Sequence, residues 1–182
     1  MMRRYKTGMV IGRFQPFHIG HYSILKRALE ECCMVVVLLG SAQESRLPHN
    51  PMSAAERQSL IEDCFPEDRN RLCFISVEDR PTVSNDKSWG EYLFDIMKSR
   101  CRVIPEVVYE GKEPIRKDWY DTLDVDIIQL SRKTLPISAT QLRKMILTGD
   151  NNWRHYCPKG AESHYEKLKE ILEDVTKNRS NN

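Results

Sequence analysis

No stretch of this sequence stays apolar for anything near the roughly 20 residues that a helix needs to cross a bilayer. A membrane-spanning helix is thereby excluded. Met9-Val10-Ile11 is also too short for the apolar centre of a signal peptide, although Arg3-Arg4 stands just before it. Net charge is nearly absent: the balance is +2 and the basic residues are scattered, so a nucleic-acid partner is not expected. None of the six cysteines forms a C-x-x-C pair, which argues against a zinc or redox site. They read instead as reduced, buried small hydrophobes, as in Leu72-Cys73-Phe74-Ile75, with Cys157 the most exposed thiol. Repeats, low-complexity tracts and linkers are missing too. The 182 residues are therefore expected to form one cytoplasmic domain, with a core over 1–150, a helical segment over 151–177 and a flexible tail over 178–182.

What is there is an ordinary folded composition, 40% apolar and 30% charged, arranged as alternating strand-like and helix-like segments. Strands are expected at Tyr5–Ile11, Met34–Leu39, Leu72–Val77, Val103–Tyr109 and Val125–Gln129. These runs are rich in Val and Ile and lack polar alternation, as strands covered on both faces do. Helices are expected at His18–Glu31, Ser53–Cys64, Trp89–Arg100, Pro114–Thr122, Ser138–Leu147 and Gly160–Lys177, the second opened by the capping box Ser53-Ala54-Ala55-Glu56. The pattern predicts an α/β fold, a doubly wound parallel sheet with a C-terminal helical extension. Along the last helix Tyr165, Leu168, Ile171, Leu172 and Val175 keep one stripe, to be docked on the body or on another subunit of a homo-oligomer.

One junction carries more chemistry than the rest. The first strand feeds Gly12-Arg13-Phe14-Gln15-Pro16-Phe17, and the next helix opens on His18-Ile19-Gly20-His21. Backbone N–H groups and the positive end of the helix dipole converge at such a turn, which makes it a phosphate site. His18 and His21 share a helix face and reach one ligand, and Gly20 leaves the backbone room for a phosphate. No third metal ligand stands at useful spacing, so phosphate binding is preferred to metal. Near the other end, Ser138 and Thr140 open a helix and Arg143 follows within it. That arrangement is either a cap beside a solvated arginine or a second anion site. Gly40-Ser41-Ala42-Gln43 follows the second strand as a tight connection or a ligand loop. Trp89 is either a core residue or a π-face for a flat cation.

The sequence GRFQPFHIGH resembles the signature of the HxGH nucleotidyltransferase superfamily, and Pro136 through Arg143 is similar to its ISxTxxR motif. The tetrapeptide HIGH is also similar to class I aminoacyl-tRNA synthetases, but their lysine-rich second loop and extra domains are missing here. GSAQ-x-S followed by NP-x-x-A-x-ER resembles the nicotinamide mononucleotide adenylyltransferases of the archaeal type, and the resemblance runs from Tyr5 through Pro158. It includes Asn85-Asp86-Lys87-Ser88-Trp89 and the W-x-x-x-x-P of Trp153 and Pro158. Tyr109-Glu110-Gly111-Lys112-Glu113-Pro114 departs from the archaeal Ser-Gly-Asn and resembles the corresponding domain of bacterial bifunctional regulators.

The resemblance implies adenylyl transfer from ATP to nicotinamide mononucleotide, giving NAD and pyrophosphate. Other acceptors remain as alternatives: nicotinic acid mononucleotide, FMN or phosphopantetheine. A non-catalytic nucleotide sensor is a further one. His18, His21 and Arg143 are implied as the catalytic set. Gly12, Arg13, Phe14, Gln15, Pro16, Gly20, Ile137, Ser138 and Thr140 are implied around ATP, with Arg46, or His49 beside the Asn50-Pro51 pair, as a further basic group. Gly40, Ser41 and Trp89 are implied around the mononucleotide, with Asp79 or Asp86 reading the carboxamide. The attacking phosphate is already largely ionised, its second pKa being about 6, so no protein nucleophile or strong base is needed. Mg2+ is expected to travel with ATP, held by phosphates and water rather than by a dedicated carboxylate cage.

Overall fold

The computed structural model describes residues 3–79, 88–111, 119–131 and 137–180. Five strands, β1 (Tyr5–Gly12), β2 (Cys32–Leu39), β3 (Leu72–Ser76), β4 (Val107–Glu110) and β5 (Asp126–Gln129), form a parallel sheet ordered β3-β2-β1-β4-β5. The helices are α1 (Ile19–Glu31), α2 (Ala54–Cys64), α3 (Trp89–Cys101), α4 (Ala139–Thr148) and α5 (Glu162–Ser180). The unbroken apolar character of β2 follows from burial on both sides. Val35, Val37 and Leu39 enter one core, while Val36 and Leu38 enter the other.

The first core is closed by Leu25 of α1, Leu60 of α2, Leu142 of α4, and Tyr165, Leu168 and Leu172 of α5. The second is closed by Leu93 and Met97 of α3. Burying each such side chain contributes about 1.5–3 kcal/mol, so α5 is fixed to the body of its own chain by its stripe. Among the described residues no helix is long and apolar enough to cross a membrane.

Three helices begin in capping boxes: Ser53 with Glu56, Ser88 with Glu91, and Ser138 with Gln141. Several boundaries differ from expectation. β4 starts at Val107 rather than Val103, because Pro105 has no N–H for a ladder and β1 pairs only from Val107 onward. Residues 112–118 of the expected Pro114–Thr122 helix lie outside the described residues, and its described end is a turn closed by Leu123 N–H on the Tyr120 carbonyl (2.9 Å). Cys157 is half-buried and Cys33 is the exposed thiol, since Cys33 stands near the outer end of β2.

Candidate active site

β1 is the strand from which the chain winds outward in both directions, to β2 and β3 on one side and to β4 and β5 on the other. The gap beyond the carboxyl ends of β1 and β4 is the switch point where open α/β sheets bind ligands. A cavity of about 430 Å³ lies there, floored by Ile11, Gly12, Tyr109 and Glu110.

One wall carries histidines, cations and backbone N–H groups. His18 is the N-cap of α1, and its Nδ1 accepts the Gly20 N–H at 3.1 Å. In the neutral ring that bond leaves the proton on Nε2, as a donor. His21 lies one turn on, its ring centroid 3.9 Å from that of His18, with Phe14 edge-on at 5.0 Å and Phe17 stacked at 5.8 Å. Arg143 enters from α4, buried, with one Nη bonded to the Gln15 carbonyl and the other to Thr140 Oγ1 at 3.3 Å. Burial, and after it the charge of Arg13, pull the Arg143 pKa down. Two like charges thus converge on one cavity, which an anion between them would neutralise. The Ser138 hydroxyl takes the Gln141 N–H at 3.2 Å, and the two residues ahead of Gln141, Ala139 and Thr140, line the cavity at the positive end of α4.

The loops beneath this wall are held from behind. Arg57 is fully buried and donates through a single Nη1 to the Arg13 and Gly40 carbonyls, both at 2.7 Å. Its Nε reaches the Ser53 carbonyl at 3.2 Å, and burial brings its pKa down to about 10. Gln15 exchanges both ends of its amide with Met52, donating at 2.6 Å and accepting at 2.9 Å. Phe14 and Ser41 hold left-handed backbone (φ 50° each) at the cavity edge, and a Cβ at Gly12 would meet the Phe14 ring at 2.9 Å.

The opposite wall is aromatic. Trp89, the first residue of α3, and Trp119 both line the cavity, ring to ring at 5.9 Å and edge-on. Gly90 lets them meet: a Cβ there would lie 1.8 Å from the Trp119 carbonyl oxygen. Asp79 lines the same region, with its carboxylate and N–H each paired to the Gln43 amide at 3.1 Å, so the last residue of GSAQ orients it.

The structure thus brings Gly12, Arg13, Phe14, Gln15, His18, His21, Gly40, Ser41, Asp79, Trp89, Ser138, Thr140 and Arg143 to one cavity. Four other residues expected around ATP stand apart. Arg46 is turned away, its fork bonded to both oxygens of Glu56 at 2.7 and 2.8 Å and to the Pro51 carbonyl, while His49 lines the cavity. Gly20 lies against the His18 ring, which a Cβ would meet at 3.0 Å. Pro16 and Ile137 are buried, Ile137 in the first core. Asp86 lies outside the described residues.

Trp119 was not singled out from sequence, and Arg57 entered only as the last residue of NP-x-x-A-x-ER, with no role given to it. Arg57 has a readable signal, since it shares a helix face with Leu60, Ile61 and Cys64, an odd place for a cation. Trp119 has none. Among the described residues no three His, Cys, Asp or Glu side chains converge to hold a metal ion. The cavity's cationic and N–H donors suit phosphates, and a divalent ion would enter with them.

The cytidylyltransferase-like family model matches residues 9–145. The chain is 28% identical over 178 residues to nicotinamide-nucleotide adenylyltransferase 1 of Sulfolobus acidocaldarius, covering 92% of this chain and 94% of that protein. It is 30% identical over 159 residues to the nicotinamide-nucleotide adenylyltransferase of Methanococcus aeolicus, covering 84% of each. The fold is similar to a bifunctional NMN adenylyltransferase/ADP ribose pyrophosphatase from Francisella tularensis, solved with AMP and a Mn ion (TM-score 0.72, 20% identity). That match covers 94% of this chain and 52% of the other, so this chain spans about half of the bifunctional one.

Proposed function

The chain belongs to the cytidylyltransferase-like family, and from that premise we propose that it is a nicotinamide-nucleotide adenylyltransferase of the archaeal type. It moves the adenylyl group of ATP onto nicotinamide mononucleotide. An oxygen of the mononucleotide phosphate attacks the α-phosphorus of ATP, the bond to the β-phosphate breaks, and NAD and pyrophosphate leave. The attacking phosphate needs no deprotonation by a strong base, so catalysis consists of aligning two anions and neutralising the charge that builds on the phosphoryl oxygens.

The observation that carries this reading is the convergence of Arg13, His18, His21 and Arg143 on one side of a cavity whose other side is Trp89 and Trp119. Polyanion and flat aromatic cation are the two chemistries that the reaction joins. We assign the His18 Nε2–H and His21 to the phosphates around the transferred phosphorus, and Arg143 with Arg13 to the triphosphate. Ala139 and Thr140 add the N–H groups of the α4 start. ATP enters as its Mg2+ complex, the ion held by phosphates and water.

On the acceptor side Trp89 and Trp119 face the pyridinium, and Asp79 accepts from the carboxamide. A carboxylate there repels a nicotinate carboxylate, which favours the amide over the acid mononucleotide. The test is pyrophosphate release from MgATP with nicotinamide mononucleotide, nicotinic acid mononucleotide, FMN and phosphopantetheine in parallel. Turnover fastest with the amide mononucleotide is expected. No release with either pyridine mononucleotide would sink the assignment.

A further inference from the structure

Cys73 on β3 and Cys101, the last residue of α3, stand on the face opposite the first core, with their sulfurs 2.8 Å apart although 28 positions separate them in sequence. A disulfide bond is about 2.0 Å long, so the two thiols need only a small approach to bond. Both are half-buried. The C-x-x-C spacing rule is blind to such a pair, because the β3–α3 crossover creates the proximity.

We propose that Cys73 and Cys101 are an oxidisable dithiol that closes to a reversible intramolecular disulfide under peroxide. Burial, and after it the neighbouring sulfur, lift the Cys73 pKa to about 12. In the proposed sequence the Cys101 thiol meets the peroxide. Its thiolate attacks one peroxide oxygen, the O–O bond breaks, and one water leaves after proton uptake, giving a sulfenic acid. The Cys73 sulfur then attacks the Cys101 sulfur, the S–O bond breaks, and the second water leaves. Two thiols lose two electrons and two protons, and one peroxide becomes two waters.

The ring so closed contains Asp79 and Trp89, both at the cavity. Oxidation thus staples the far end of α3, whose first residue is Trp89, to the sheet. A covalent loop of this size raises the melting temperature by roughly 5–15 °C for a chain of this length.

The experiment treats the full chain with one equivalent of hydrogen peroxide, caps remaining thiols with N-ethylmaleimide in denaturant, and maps the peptides without reduction. Peptides bearing Cys73 and Cys101 should appear linked, about 2 Da below the sum of their thiol forms. The melting temperature should rise, and dithiothreitol should reverse both changes. C101S, or C101A if the serine variant folds poorly, should keep its starting melting temperature under peroxide. Separate capping of the two cysteines after peroxide, or their oxidation singly to sulfinic acid, would overturn the proposal. Neither readout requires adenylyl transfer, so failure here leaves the assigned reaction standing.

Discussion

The Tyr165 hydroxyl donates to the Phe17 carbonyl at 2.8 Å across 148 positions of sequence. The last helix therefore supports, through one buried bond, the residue immediately before His18. Trp153 stacks on the same tyrosine at 5.3 Å, so the C-terminal segment and the histidine loop share a packing unit. Tyr165→Phe leaves a buried carbonyl without that donor, at a cost of about 1–3 kcal/mol. Thermal unfolding should show a fall of roughly 2–12 °C. An unchanged melting temperature would remove the bond from the account of how the loop is held.

His18 and His21 differ in what their loss removes. His21→Ala should lower turnover roughly a hundred- to thousandfold, the usual consequence of deleting a transition-state donor, in a protein that still folds. His18→Ala should show the same fall in turnover together with about 1 kcal/mol of lost stability, because the N-cap on Gly20 goes with it. Pyrophosphate release and circular dichroism on both variants separate the two effects. Full turnover in a folded His21→Ala protein would exclude it from the mechanism.

The aromatic wall should report on the acceptor alone. Trp89→Ala is expected to raise the KM for nicotinamide mononucleotide about tenfold, as loss of a cation–π face does, with the KM for ATP within about twofold. Gly90→Ala should reproduce this pattern without touching either ring, since its methyl has no room beside the Trp119 carbonyl. Equal weakening of both substrates in Trp89→Ala would make the residue a packing element.

Acid should reveal the anchor of Arg46. Glu56 receives the Arg46 fork and caps α2, and the Arg46 hydrogen bonds, ahead of the opposing effect of burial, hold its pKa at about 2 rather than 4.5. The folded pKa is depressed, so the stabilisation is complete above about pH 4.5 and is lost as pH falls toward 2. The shift corresponds to roughly 3 kcal/mol, reduced to about 2 by the half-exposure of Arg46. Glu56→Gln should lose about that much at pH 7 in urea unfolding and should flatten the pH dependence between 4.5 and 2. A variant with the wild-type acid profile would refute the linkage.

Much of the fold could be read from the chain because its strands are buried on both faces, and that condition writes itself as runs such as Val35 to Leu39. Both elements of the wall that carries His18, His21 and Arg143 were legible for a related reason. A strand–loop–helix start and an ISxTxxR helix start are local objects, and topology had only to bring them together. The partner of Arg46 was not legible, because charge in a sequence says nothing about which neighbour claims it, and Glu56 claims this one. The packing of Gly20 against the His18 ring was hidden in a similar way, since it depends on the ring's orientation. Trp119 stayed invisible because no local pattern surrounds it, and its place depends on Gly90 in a distant helix.

Arg57 draws two turns that belong to different strands onto one nitrogen, and Gln15 ties the same region to Met52. The side of the cavity proposed for the triphosphate is therefore made of groups that also hold the protein together. Selection cannot retune it without risking the fold. The side proposed for the pyridine rests on two aromatic edges at the rim of the second core and one Asp–Gln pair. Heritable change in this lineage should accumulate on the acceptor wall: a fixed chemistry with a negotiable partner.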